Sequence, residues 1–398
     1  MSLLAGSDRA APDAGGGPTI AAEAITSFGV DLFSAVRSLP ASDGANVVVS
    51  PASVGIALAM VEPGAVDAGS IALRELLRID DPETFHASMN ALEQNLEARK
   101  PQQVHNAAEK PGELAVRIVN AAYLQRGYPF ERSYVDAVTR SYGPVLNEVD
   151  FSADPDAVAH EINDFVAAET RNRITDLVPD GALSDDTVFA LVNALYLKAS
   201  WLSVFDPSAT ADGTFTLLDG GEIQVPLMQG FGDSSAKGDH WVAATKSYVG
   251  GLAAQFILPD EGHFDEVAAD LAGVFADYDA DRTSGAQMVV PRFESRFYVE
   301  LPEALRRLGL GALFDEEAQL LGIAPDERLK LDEALHETFI ALDEEGTEAA
   351  AATVITGVVT SGPLTPPVPV VLDRPFLFRI IDMQTGVTLF VGQIVDPS

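Results

Sequence analysis

Two long apolar runs, LAVRIVNAAYLQ (114–125) and TVFALVNALYLKASW (187–201), constrain this chain more than anything else in it. Both read as strands, and each carries one asparagine near its middle, Asn120 and Asn193. A polar side chain inside such a strand needs a hydrogen-bond partner. GLAAQFILP (251–259), AQMVVPRFESRFYVEL (286–301) and HETFIALDEE (336–345) read as further strands, and 370–397 as a hairpin turning at Gln384, Thr385 and Gly386. Helical spacing lies earlier. Ile25, Phe28, Leu32 and Val36 recur every three or four residues and predict a helix over 20–39, ended by Pro40. ANVVVSPASVGIALAMV (45–61) predicts a short strand, a helix start at Ser50-Pro51, and a helix apolar all round and hence buried. Val158, Ile162 and Phe165 mark another helix behind Asp154-Pro155. Helices first and strands later imply an α+β fold with large mixed sheets, not repeating βαβ units.

With 398 residues, 47% of them hydrophobic, the chain can bury a large core. No linker or fixed-period repeat divides it, which implies a disordered tail over 1–19 and one domain over 20–398. No cysteine is present, so disulfides, thiol catalysis and cysteine-ligated metals are excluded. No unbroken apolar run of about eighteen residues predicts a membrane span. No basic start followed by an apolar block predicts a signal peptide. The net charge of −35 repels nucleic acid and anionic membranes. Lysine occurs only at 100, 110, 198, 237, 246 and 330, which fits a surface adapted to strong salt or one that is merely acidic.

Catalytic patterns fail one by one. Gly-Asp-Ser within 232–238 lacks the following glycine of a serine-protease oxyanion loop, and no G-x-S-x-G exists. His160-Glu161 and His336-Glu337 begin like zinc helices, but Asp164 and Ile340 stand where the second histidine belongs. Asp277, Asp279 and Asp281 match the first calcium-loop ligands, yet Arg282 and Met288 break the pattern, leaving a solvated loop. No metal, cofactor or catalytic residue is expected. His336 alternates with Thr338, Ile340 and Leu342 and therefore points inward. Its candidate partners are Asn120, Asn193, Ser50 and Ser53, either as separate satisfied groups or as one cluster where strands meet the buried helix.

The runs NVVVSPASVGIALAM, TVFALVNALYLKASW, PRFES, HETFIALDEEGTEAAAAT and LDRPFLFRI resemble, in order, the signatures of the serpins, serine protease inhibitors, of prokaryotic type. The likeness spans about residues 20–396. It implies the serpin fold, about eight to nine helices around three β-sheets with an exposed C-terminal reactive loop at about 346–370. It implies that Ser50, Ser53, Asn120, Asn193 and His336 form a cluster that lets the central sheet open. Trp201 resembles the aromatic at the top of that opening, and Arg292 the basic residue paired with Glu344. It implies a suicide-substrate inhibitor: a target protease cleaves the loop, is trapped as an acyl-enzyme, and is carried off as the loop inserts into the main sheet.

The residues suit that task. The hinge is Glu344, Glu345, Gly346, Thr347, Glu348, Ala349, Ala350, Ala351 and Ala352. Gly346 supplies backbone freedom. Thr347, Ala349, Ala351, Thr353 and Ile355 would alternate inward, small first and β-branched later, so that they slip between strands and then favour strand. Counting forward from Gly346 puts the scissile bond at Thr360-Ser361, suiting an elastase-like or subtilisin-like pocket. Counting back from Arg374-Pro375-Phe376 gives Leu364-Thr365 and a chymotrypsin-like one. The expected partner is such a serine protease, met by a monomer outside the cell or, alternatively, in the cytoplasm. A non-inhibitory serpin-fold binding or carrier protein is the other reading.

Overall fold

A computed structural model of the chain describes residues 2–3, 8–12, 17–98, 104–106, 111–143, 146–315, 319–326, 329–331, 334–347 and 367–398. The helix Pro51–Val61 starts where its local chemistry dictates: the Ser50 side chain accepts from the Ser53 N–H and Pro51 opens the first turn. All eleven of its residues are buried. It packs against the strands Leu114–Gln125, Phe189–Ser200 and Thr388–Ile394, which makes it the centre of the core.

The two long apolar runs are neighbours. Leu114–Gln125 pairs antiparallel with Phe189–Ser200, and Asn120 stands opposite Asn193. The strand Ala334–Leu342 runs parallel to Phe189–Ser200 from Ala334 to Thr338, with His336 opposite Asn193. Register alone therefore sets three polar side chains on one rung. Beyond Thr338 the direct pairing stops, and Gly346–Thr347 lies between the two strands, antiparallel to both. Phe293–Glu300 flanks Ala334–Leu342 on the outer side. The far face of this seven-stranded sheet packs on the helix Pro155–Glu169, through Val119, Ala121, Val192, Leu335 and Phe339 against Val158, Ile162 and Val166. Burial on both faces is why these strands are apolar throughout.

A nine-stranded sheet holds the other half of the core, and a two-stranded ribbon joins Val104–His105 to Pro111–Gly112. The hairpin Phe376–Asp382 and Thr388–Ile394 forms as read, and Val47–Val49 completes that edge. The α+β class stands, with three differences in detail. The helix expected over 20–39 is Thr19–Arg37. The apolar run 286–301 is two strands: Thr283–Pro291 belongs to the nine-stranded sheet and Phe293–Glu300 to the seven-stranded one, so the chain changes sheets at Arg292. Asp277, Asp279 and Asp281 lie on the helix Leu271–Asp281, not in a loop, and Asp279 pairs with Arg379 at 3.0 Å.

The tail residues that are described are tied down. Ser2–Leu3 adds an antiparallel strand to Leu146–Val149. Arg9 bonds Asn90 at 2.9 Å and Glu93 at 2.8 Å on the helix Pro82–Glu97, and the Ala10 N–H donates to the Arg140 carbonyl. Nothing local in a Gly/Ala-rich tail announces anchors that lie from 81 residues away, at Asn90, to the strand Leu146–Val149.

Candidate functional site

The rung of three polar residues continues into a bonded chain. The Ser50 N–H donates to His336 Nε2 at 3.0 Å, His336 Nδ1 meets Asn193 Oδ1 at 2.9 Å, and Asn193 Nδ2 donates to Asn120 Oδ1 at 2.6 Å. Because Nε2 accepts, the proton of the neutral ring sits on Nδ1 and donates to Asn193. His336 is fully buried, and burial pulls it down to about 3, so the ring is neutral. Ser53 joins through its backbone N–H, bonded to Ser50 Oγ at 3.2 Å. Thr338, two residues along on the same face, donates to the Val48 carbonyl at 2.8 Å and ties the sheet to the strand Val47–Val49.

At the top of the sheet a second set of contacts holds the two residues that part the strands. Asp343 Oδ1 accepts from the N–H groups of Glu345 and Gly346 at 2.8 and 3.0 Å, folding the chain back on itself. Trp201 Nε1 donates to the Asp343 carbonyl at 3.0 Å, while the Trp201 and Phe205 N–H groups donate to Glu345 and Glu344. The Trp201 ring stacks on Tyr248 at 4.0 Å, and the Tyr248 hydroxyl meets Thr347 Oγ1 at 2.7 Å. Thr347 is buried, so the first side chain after Gly346 points inward. Gly346 passes so close to Phe189–Ser200 that a Cβ on it would lie 2.1 Å from the Ala199 carbonyl oxygen. Only glycine fits there.

Charge sits at the same end. Arg292 bonds Glu344 at 2.5 Å, and Thr210 donates to the same carboxylate oxygen at 2.7 Å. Burial raises the Glu344 carboxyl, but the bonds from Arg292 and Thr210 outweigh it and hold the group below its ordinary value. Lys246 lies over the Phe205 ring at 4.2 Å, and burial pulls it down to about 8 against the pull of Asp233. Trp201, Arg292 and Glu344 were named from the resemblance and Gly346, Thr347 and Thr338 from the residues themselves; Tyr248, Phe205 and Thr210 were not named, since each matters only through a partner far along the chain. Glu348, Ala349, Ala350, Ala351, Ala352, Thr360, Ser361, Leu364 and Thr365 lie outside the described residues.

The mixed sheet is thus bonded across its lower rungs and parted at its upper end by Gly346–Thr347, the start of an acidic, alanine-rich segment. The serpin (serine protease inhibitor) family model matches residues 23–397. An uncharacterized serpin-like protein of Thermococcus kodakarensis is 33% identical over 381 residues, covering 94% of this chain and 85% of its own. Alpha-1-antiproteinase of Rattus norvegicus is 30% identical over 383 residues, 92% of this chain and 87% of its own. Human thyroxine-binding globulin complexed with thyroxine shares the fold, with TM-score 0.81, 24% identity, and 96% and 99% of the two chains covered. The chain belongs to the serpin family. Serpins in general are protease inhibitors rather than enzymes, and in general they target serine proteases.

Proposed function

We propose that this chain inhibits serine endopeptidases as a suicide substrate, its reactive loop being cleaved and then inserted as a central strand. The observation that carries this reading is the place of Gly346–Thr347, already paired to Phe189–Ser200 and Ala334–Leu342. Beyond Glu348, Ala349 to Ala352 are small, so little side-chain bulk has to pass between the two strands as they separate. The cluster Ser50–His336–Asn193–Asn120 lies across the strands that must separate, and its hydrogen bonds can part and re-form where an interdigitated apolar core would resist sliding. About fifteen inserted residues at about 3.3 Å each carry a tethered protease about 50 Å. A full strand adds about 20–30 backbone hydrogen bonds, each worth about 0.5–1.5 kcal/mol net, enough to drive that displacement. Thr360-Ser361 is the proposed scissile bond, with Leu364-Thr365 the alternative. The proposed partner is an elastase-like or subtilisin-like protease, met outside the cell by a monomer.

The test is incubation with elastase, subtilisin and chymotrypsin, followed by denaturing electrophoresis. A band of summed mass supports the reading; cleavage with no such band refutes it in favour of a non-inhibitory serpin-fold binding protein. Mass spectrometry of the released C-terminal peptide decides between Thr360 and Leu364.

A further inference from the structure

His240 and His263, two of the six histidines, meet with Glu266 outside the polar cluster of the sheet. One potential ligand atom from each of the three lies within 4.8 Å of the others. The imidazole rings are stacked, 3.6 Å between centroids and 6° from parallel. His263 Nδ1 meets Glu266 Oε2 at 2.7 Å, and His240 has Asp260 at 3.8 Å and Asp239 at 3.7 Å. Two imidazoles and one carboxylate therefore lie close together, while Asp260 stands beside Nδ1 of His240 and Asp239 beside its Nε2.

Three pieces of chain build this arrangement, and their backbones are locked together. Asp239 and His240 form the two-residue tip between Glu222–Gly238 and Trp241–Ser247, where Gly238 pairs with Trp241. The Asp260 N–H donates to the His240 carbonyl at 2.8 Å, and the His263 N–H to the Asp260 carbonyl at 3.0 Å. Glu266 follows in the first turn of Phe264–Ala269. The local rule is broken at one place. His240 sits at φ +61°, where a tight turn favours Gly or Asn. A side chain in this backbone region is disfavoured relative to glycine. The chain bears that strain and uses it to aim an imidazole at a second imidazole and a carboxylate, the kind of outlier that points to a site.

We propose that His240, His263 and Glu266 bind a borderline divalent cation of the zinc class, with Asp239 or Asp260 completing the set. Imidazole nitrogen with carboxylate oxygen selects zinc, copper or nickel over magnesium and calcium, which prefer oxygen alone. The rings are about one-third exposed, so an ion enters from solvent and the side chains can turn. Splaying the stacked rings brings their nitrogens to about 3.3 Å apart, the edge of a tetrahedron around zinc. The bound ion staples the hairpin tip to the loop and helix beyond strand Leu252–Pro259. It sits at the opposite end of Trp241–Ser247 from Tyr248, the residue that holds Thr347, about 20 Å along that strand. The proposal is independent of the inhibitory reading, because it concerns only the ion.

Calorimetric titration of the full chain, carrying no polyhistidine tag and freed of metal by chelation, tests it. Zinc chloride should bind as one equivalent with a dissociation constant in the micromolar range, and magnesium chloride should give no saturable heat. His240→Ala and His263→Ala should each weaken zinc at least about tenfold, whereas His160→Ala, on the helix Pro155–Glu169, should not. His240→Gly should melt above the parent without metal, by relief of the backbone strain, and lose the zinc-induced rise in Tm. A parent chain with no saturable zinc binding overturns the proposal, as does a His240→Ala/His263→Ala double variant that binds zinc as tightly as the parent.

Discussion

Acidification should loosen the sheet through His336, and the size of the effect follows from its surroundings. In the folded chain the ring is fully buried, its Nε2 accepts from the Ser50 N–H, and burial holds it down to about 3. In the unfolded chain it titrates near 6.5. The unfolded state therefore binds the proton first as pH falls. The stabilisation is complete above about pH 6.5 and is lost progressively down to about 3. Between pH 7 and 4.5 this single group removes about 2–3 kcal/mol. Protonating Nε2 also sets an N–H against the Ser50 N–H and cuts the chain of bonds that reaches Asn193 and Asn120. The assay is guanidinium unfolding at both pH values for the parent and for His336→Gln, whose amide accepts and donates without titrating. Glu93, which burial pushes up to about 8 against the Arg9 charge, is present in both proteins and cancels in the difference. The parent should lose about 2–3 kcal/mol more than the variant across the window. Equal losses would refute the reasoning, whatever the variant's absolute stability.

Gly346→Val should exclude residue 346 from the gap beside Ala199, abolish the band of summed mass, and leave the chain cleaved as an ordinary substrate, as read by electrophoresis. Arg292→Ala should leave the Glu344 carboxylate with Thr210 alone; because Arg292 is half-exposed the loss is about 1 kcal/mol, visible as a lower Tm and as faster cleavage of the hinge by a non-target protease. Arg9→Ala should remove the bonds to Asn90 and Glu93 and lower stability by about 1–3 kcal/mol in thermal melts, an effect absent if the tail does not dock.

What the sequence by itself determined was whatever depends on near neighbours. Ser50-Pro51 announced a capped helix because capping is settled within four residues, and the runs 114–125 and 187–201 announced strands because composition and length settle that. His336 could be turned inward from alternation alone, and the small residues behind Gly346 were what suggested a hinge there. Tertiary structure decided the rest. The buried positions pass from even (Ala286, Met288, Val290) to odd (Phe293, Ser295, Phe297, Val299) around Pro291 and Arg292, and the apolar run 288–291 hides that change of phase in the sequence, so the step from one sheet to the other was not read there. Three alternating aspartates outweighed the helical spacing of Leu271, Val274, Phe275 and Tyr278, which only packing enforces. Ser50 and His336 are 286 positions apart, Arg9 and Glu93 are 84, and Tyr248 and Thr347 are 99. Contacts across such distances depend on strand register and on which helix covers which face, quantities set by burying the whole core at once and written in no single stretch of chain.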